Sequence, residues 1–384
     1  MNVLLLTEGD AQRYDSWSGT AKSVVDHLRG VGHQVRTADV DLYGPARWIT
    51  AAQTFTPHRK RWGVLYHLGA EGYRQRSKRA AQAIAAQNGE VDCILQIGAT
   101  FEPAARGRVP YALLCDSHIQ TSLEGVEFGV SDTAWLSPAE FETIRRREVE
   151  VYRNAAVIMT ISDYLRRSFI TDYGLCEDRV VSVGAGPNLD LSRVPKPRAV
   201  PRTGPPTVLF VGKQFERKGG DHLLTAFRML RGRLPDARLV IVGPTTSPSS
   251  EPGVEFLGNL DKNTPEGWAR MAAAYADADV LTLPSLYEPF GIVILEAMFF
   301  GLPCVGTAAW AIPEMILEGE TGYTVPRADP ATLAARLGDV LADRGRANEM
   351  GLAGRRHVEA HFTWAAVATR MSEAMRRGVH RAMS

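Results

Sequence analysis

Short apolar runs alternate with helix-period segments along most of the chain, and the alternation stops once and then restarts. VLLLT (3–7), CILQIG (93–98), YALLC (111–115) and AVIMTIS (156–162) are apolar on both alternating faces. Strands of that kind belong in a parallel sheet covered on both sides, not in a half-solvated antiparallel one. Between the first two runs, Thr20 to Arg29 places Ala21, Val24, Val25 and Leu28 on one helical face; Gly30 and Gly32 end it, and HQVRTADV resumes as a strand. The break is PKPRAVPRTGPP, with five prolines among residues 195 to 206. Proline at that density continues neither a helix nor a central strand, so the segment is expected to be an interdomain linker. The pattern then resumes: TVLFVG, a helix over 220–231, RLVIVG, VEFLG, a helix over 265–276, DVLTLP, a helix over 291–300, PCVGT and TGYTVP. DPATLAARLGDVL sets Pro330 at a helix start, with Leu333, Leu337, Val340 and Leu341 apolar. Two doubly wound α/β domains in series follow from the pattern.

Bulk properties remove several classes. A chain of 384 residues with 45% apolar and 23% charged residues suits a globular protein of two ordinary domains. The formal net charge of +1 gives no global attraction to nucleic acid, and no basic tract interleaved with aromatics supplies a local one. MNVLLLTEGD lacks a basic leader region and reads as a first strand, and the apolar stretch from Ile292 to Leu317 is interrupted by Glu296, Pro303, Pro313 and Glu314. No signal peptide and no membrane span is therefore expected, and the location expected is cytoplasmic. Cys93, Cys115, Cys176 and Cys304 have no metal-ligand spacing and are expected as reduced thiols.

The chemistry-bearing stretch is YEPFGIVILEAMFFGLPCV, residues 287–305. A buried strand enters a polar turn holding Glu288; Gly291 then opens an apolar helix that carries Glu296. Helix entries of this type aim free N–H groups and a positive dipole end at one point, which suits phosphate, while carboxylates beside such a point suit sugar hydroxyls. A second stretch, VLFVGKQFERKGGDHLLTAF (208–227), sets Lys213 and Lys218 on a glycine-rich turn between a strand and a helix. Asp277 and Asp279 have metal-motif spacing but precede a strand, so they are read as helix-end and strand-entry residues, and no metal site is expected.

Together these stretches resemble the Glu, seven residues, Glu motif and the preceding basic, Lys-Gly turn of retaining glycosyltransferases of family 4. That resemblance covers the C-terminal half and implies a GT-B fold: two Rossmann-like domains facing a central cleft. It implies an N-terminal acceptor domain of residues 1–194 with a returning C-terminal helix (364–384), and a nucleotide-sugar domain over 207–363. Lys213, at a position where the family usually has Arg, and Lys218 would neutralise the departing diphosphate, with Gly212 allowing close approach and Arg217 adjacent. Glu288 would face the transferred sugar and Glu296 the ribose hydroxyls; backbone at Phe290, Gly291 and Ile292 would hold sugar and phosphate, and backbone at Leu257 the base. No cofactor is implied beyond the nucleotide-sugar donor, UDP ahead of GDP, ADP and dTDP. Retention of configuration would follow, the leaving phosphate taking the acceptor proton.

In the N-terminal half, Gly19 belongs to a loop that would approach the donor phosphates, with Ser18 also fitting a helix N-cap. Asp116 or His118, just after YALLC, would contact the sugar. The acceptor is expected to be a polar small molecule, cationic if two acidic loops line its approach: Glu8, Asp10 and Asp15 around Arg13, and Asp116, Glu124, Glu127 and Asp132. Basic clusters at 58–62, 74–79 and 144–153 are read as solvated faces, not as a membrane-contact patch. The rival readings are a GT-B sugar-nucleotide epimerase or phosphorylase and a non-enzymatic nucleotide-binding regulator. A dinucleotide dehydrogenase is disfavoured because no G-x-G-x-x-G follows the first strand.

Overall fold

The computed structural model describes every residue except Asp15, Asn88, residues 104–108 and Pro248. The chain divides into two compact units, Met1–Gly184 with Trp364–Ser384, and Ala185–Thr363. The first holds β1 (Asn2–Thr7), β2 (Gln34–Asp39), β3 (Cys93–Ile97), β4 (Tyr111–Cys115), β5 (Val157–Thr160) and β6 (Val180–Ser182). They form one parallel sheet in the order β2-β1-β3-β4-β5-β6. The second holds β7 (Thr207–Val211), β8 (Arg238–Val242), β9 (Val254–Gly258), β10 (Val280–Leu283), β11 (Cys304–Thr307) and β12 (Gly322–Val325), in the order β12-β11-β10-β7-β8-β9, again all parallel.

CILQI, YALLC, VIMT, TVLFV and VLTL are buried at every residue, as inner strands of a parallel sheet must be, while VEFLG and GYTV at the edges of the second sheet are partly exposed. Leu4, Leu6, Ile94, Leu113 and Ile158 pack with Tyr152, Phe169 and Tyr173 in the first unit, and Val208, Phe210 and Ile241 pack with Leu223, Phe227 and Leu337 in the second. Both sheets change winding direction at one place. From β1 the chain goes to β2 on one side and β3 on the other; from β7 it goes to β8 on one side and, later, to β10 on the other. Such switch points open a crevice at the carboxyl ends of the two central strands, where doubly wound sheets bind ligands.

Several expectations change. The proline-rich segment is not a free linker. The change of unit falls at 184/185, and Arg198 donates to the Ala278 carbonyl at 2.6 Å while Arg202 pairs with the buried Asp279 at 2.9 Å, both within the second unit. Asp279 also accepts from the Thr207 amide at 2.8 Å at the amino-terminal edge of the sheet, so it pins a strand entry. The helix Trp364–Met383 belongs to the first unit; Ser372 bonds the buried His33 at 2.7 Å, and Arg370 donates to the Val183 carbonyl at 2.7 Å. The basic clusters are not simply solvated. They lie on helices Arg59–Leu68, Ala70–Ala85 and Pro138–Asn154, and Arg76 is only 1% exposed. Among the described residues, no helix is long and apolar enough to cross a membrane.

Candidate active site

At the switch point of the second unit, the loop after β7 and the loop after β10 meet. Lys218 lies directly over Gly212, where a Cβ would come within 2.1 Å of the Lys218 Cδ, so only glycine leaves a path for this side chain. The lysine ends on Glu288: Nζ to Oε2 is 2.7 Å, and the Arg217 guanidinium stands 3.6 Å from the same oxygen. Arg217 also donates to the Tyr287 carbonyl at 2.6 Å, and its own carbonyl accepts from the Leu286 amide at 2.9 Å, which ties the two loops together. Burial acts to raise the Glu288 carboxyl, but the Lys218 and Arg217 charges, the Lys218 hydrogen bond and the Gly291 amide together hold it below the usual carboxylate range. Gly291, at φ 93°, caps the helix Ile292–Phe299 and turns the chain into it.

One expected contact is altered here. The Gly291 amide, expected to be free for a ligand, already serves Glu288. Lys213 is exposed, beside the close approach of Gly243 to the backbone at Gly212. Phe290 is buried and Ile292 opens the helix.

Glu296 sits one helical stretch further in and is 2% exposed. Its Oε1 takes a hydrogen bond from Lys262 at 3.0 Å and its Oε2 one from the Tyr275 hydroxyl at 2.9 Å. Lys262 also donates to the Asn188 carbonyl at 3.0 Å. Sequence reasoning missed Lys262 and Tyr275. A lone lysine in the loop after β9 and a tyrosine on an apolar helix face carry no pattern; only the partner they share reveals them. The Leu257 carbonyl, expected near a base, accepts from Arg270 at 3.4 Å.

In the first unit the outcome is less favourable to the sequence reading. His118 is corrected: it is a buried core residue. Its Nδ1 accepts from the Thr121 amide at 3.3 Å, so its Nε2 donates to Ser168 Oγ at 2.8 Å, and Ser168 in turn donates to Asp172. Phe169 and Tyr173 pack edge-on against the ring, and burial pushes its pKa down to about 4. No nitrogen is left for a sugar. Asp116, at the strand end, is partly exposed and accepts from Ser117 at 3.1 Å. Gly19, not Ser18, caps the helix Thr20–Gly30, at φ 95°, and Trp17 and Ser18 precede it with positive φ.

The acidic-loop expectation also changes. Glu8 does not present a free charge: its Oε2 is 2.6 Å from Arg76 Nε, and Thr100 donates to its other oxygen. Glu124 accepts from the Tyr164 hydroxyl. Asp15 lies outside the described residues. Among the described residues, no group of His, Cys, Asp and Glu has the arrangement of a metal site.

The Glycosyl transferases group 1 profile matches residues 205–343, the segment that builds the Lys218–Glu288 site. Glycogen synthase of Mycobacterium tuberculosis is 29% identical over 277 residues, 69% of this chain and 64% of that protein. The GDP-mannose-dependent alpha-(1-6)-phosphatidylinositol monomannoside mannosyltransferase of Mycolicibacterium smegmatis is 30% identical over 276 residues, 66% of this chain and 69% of that one. The chain belongs to the group 1 glycosyl transferases. As a member of that family it has solved structural relatives of the same architecture. A sucrose-phosphate synthase from Thermosynechococcus elongatus superposes with a TM-score of 0.72 over 100% of both chains at 21% identity. Anabaena HepE, solved in complex with UDP and glucose, gives 0.65 over 97% of this group 1 glycosyl transferase and 98% of HepE, at 17% identity. These likenesses establish the GT-B fold of paired Rossmann-like units. The chain spans 64% of the length of the glycogen synthase it matches.

Proposed function

We propose that this chain is a retaining glycosyltransferase that moves a sugar from a nucleotide-sugar donor to the hydroxyl of a polar small-molecule acceptor. The observation that carries the reading is the placement of Lys218 and Arg217 around Glu288 at the β7/β10 switch point. Glycosyl transfer breaks the anomeric C–O bond and leaves charge on a diphosphate, so fixed cations are needed where that charge develops. Lys218 and Arg217 supply them, with Lys213 further out. In the ligand-free chain Glu288 neutralises part of this charge and holds Lys218 in place; on binding, the diphosphate takes over as a partner for Lys218. Glu288 then faces the sugar, and Glu296, held by Lys262 and Tyr275, accepts from the ribose hydroxyls. A new C–O bond forms between the anomeric carbon and the acceptor oxygen, on the face from which the diphosphate departs, and the acceptor proton passes to the departing phosphate oxygen. No divalent ion has a role in this scheme.

UDP is the first donor base to test. HepE holds UDP, while the Mycolicibacterium relative is named for GDP-mannose. Incubating the chain with UDP-, GDP-, ADP- and dTDP-sugars, and reading donor hydrolysis without acceptor, tests the reading. One donor should be hydrolysed, in the presence of EDTA as in its absence. If all four stay intact and none binds by calorimetry, the donor assignment is wrong.

A further inference from the structure

An unassigned feature of the first unit is a cavity of about 850 Å³ at the carboxyl ends of β1 and β2. Helices Gly44–Gln53 and Arg59–Leu68 cover it. Its walls are aromatic: Trp17, Tyr43, Trp48, Trp62 and Tyr66. Its polar end is the Glu8–Arg76 pair, with His67 Nδ1 3.7 Å from Glu8 and Asp41 4.0 Å from Arg76. Arg76, at 1% exposure, is as buried as a core leucine, so its charge is answered by Glu8 and not by water.

Three tryptophans show the cavity is built, not left over. Trp17 is held at φ 49°, a backbone conformation costly for a large side chain, and its indole lies over Gly98 at the end of β3, where a Cβ would approach the ring to 2.9 Å. Trp48 is 73% exposed, although a tryptophan gains far more from burial than from standing in water. Trp62 is fixed by its Nε1 donating to the Ala51 carbonyl at 3.0 Å.

The chemistry of a ligand follows from these walls. Ring faces with flat C–H surfaces stack on tryptophan, and hydroxyls on the ring edge can donate to Glu8 and Asp41 or accept from His67. The charged carboxylates and guanidinium groups that line the cavity, Glu8 and Asp41 with Arg47 and Arg76, balance, so it offers no net charge to a formally charged ligand. The volume exceeds that of a single sugar ring and falls within the range of drug-sized ligand sites.

We infer that this cavity is the acceptor site and that the acceptor is an uncharged, hydroxyl-bearing ring attached to an apolar or aromatic group. The inference rests on the glycosyltransferase reading for the word acceptor, and on the cavity alone for the chemistry of the ligand. It departs from the cationic acceptor that the acidic loops suggested.

The test uses the full chain and 4-nitrophenyl β-D-glucopyranoside as the neutral probe, glucosamine as the cationic one and inositol phosphate as the anionic one. Binding is read by quenching of tryptophan fluorescence and by calorimetry. The neutral aromatic glycoside should bind best. Trp48→Ala should weaken it by about 3- to 10-fold, the range of one aromatic stacking contact, and Trp48→Phe should restore most of the loss. Trp48 is so exposed that neither change should lower the melting temperature. Binding that is indifferent to Trp48, or tighter for either charged probe, overturns the inference. Vesicles of anionic phospholipid form a further arm: if they quench the fluorescence and the glycoside does not, the aromatic residues form a lipid-contact face and the inference is wrong. Donor hydrolysis is measured separately on the unaltered chain. Glycoside binding without any donor turnover would sink the glycosyltransferase reading and leave the cavity's ligand chemistry standing; donor turnover without glycoside binding would do the reverse.

Discussion

At the carboxyl ends of β7 and β10, Glu288 meets Lys218 at 2.7 Å; at the carboxyl end of β1, Glu8 meets Arg76 at 2.6 Å. Each pair lies at the switch point of its sheet, but the two are assembled from different materials. In the second unit both members stand on the short loops that follow the central strands, and the strands fix the loops. In the first unit the acid is on the loop after β1 while the base projects from the interior of the helix Ala70–Ala85. A loop-borne lysine can leave its partner when a phosphate arrives. A helix-borne arginine with 1% exposure cannot. On the proposed function, the comparison separates a pair used for chemistry from a pair that lines a cavity.

The sharpest way to break this distinction is to remove both cations. Arg76→Met should destabilise the first unit by about 3–5 kcal/mol, the usual cost of stranding one member of a buried ion pair. Lys218→Ala should leave the second unit folded, because Arg217 still answers Glu288, while lowering kcat by about 100- to 1000-fold. Denaturant titration and single-turnover transfer read the two outcomes. If Lys218→Ala unfolds the chain and Arg76→Met merely slows turnover, the roles are reversed.

The same contrast governs how much was legible in the sequence. Most strands could be read because a buried parallel strand has one signature, an unbroken apolar run such as TVLFV or CILQI; the short edge strand β6 (Val180–Ser182) has no such run and was missed. The residues of the second unit's candidate site could be picked out because each stands in a glycine-marked loop after an apolar strand, Lys218 with Gly212 and Glu288 with Gly291; the contact between the two loops, made by residues 70 apart, left no trace. The helices Gly44–Gln53, Arg59–Leu68 and Ala70–Ala85 left a poor trace. HRKRWGVLYHL and RQRSKR look like solvated faces, and nothing in hydropathy reveals that Arg76 is buried, since its burial depends on Glu8, 68 residues earlier. His118 misled for the complementary reason. Its position after a strand end suggested ligand contact, but Phe169, Tyr173 and Ser168, which enclose it, come from a helix some 50 residues on.

A smaller effect comes from titration. In the first unit, burial raises the Glu148 carboxyl to about 7 from 4.5 and lowers His118 to about 4 from 6.5. Between pH 4.5 and 7 the native chain keeps a proton on Glu148 that the unfolded chain has lost, so stability falls as pH rises. Between pH 4 and 6.5 the unfolded chain holds a proton on His118 that the native one lacks, so stability rises with pH. Each contribution is at most about 3 kcal/mol at 1.36 kcal/mol per pH unit, and they oppose each other over nearly the same window. Glu148→Gln should therefore expose the His118 contribution, and stability should drop by roughly 3 kcal/mol between pH 6.5 and 4. In the second unit Glu288 is shifted the other way; its contribution is present above the unfolded carboxyl pKa and is lost as pH falls through the folded value. Denaturation curves at a series of pH values, with and without Glu148→Gln, measure both. An unchanged profile in the variant would show that Glu148 and His118 are not the opposing pair.

The smallest effect concerns Glu296, the carboxylate that lies deeper in the second unit. Glu296 is held by one donor on each oxygen, Lys262 on Oε1 and Tyr275 on Oε2. A carboxylate oxygen has two acceptor positions, so each oxygen can take a ribose hydroxyl while keeping its protein partner. On the proposed function, Lys262 and Tyr275 then act by orientation and do not compete with the nucleotide. Tyr275→Phe removes a single hydroxyl from a ring that stays stacked on Phe300 at 4.8 Å, so packing is preserved and only the orientation of Glu296 relaxes. The expected loss is that of one hydrogen bond, about 0.5–1.5 kcal/mol, or roughly 3- to 10-fold in UDP affinity, with kcat at saturating donor unchanged. Glu296→Ala should weaken UDP further, since it removes both acceptors and strands Lys262. The ordering of the two variants is the informative result. Equal affinity for UDP in Tyr275→Phe, Glu296→Ala and the unaltered chain would mean that the ribose does not bind here. A kcat loss in Tyr275→Phe with unchanged affinity would place Glu296 with Glu288 and Lys218, among the groups that act on the reacting bond.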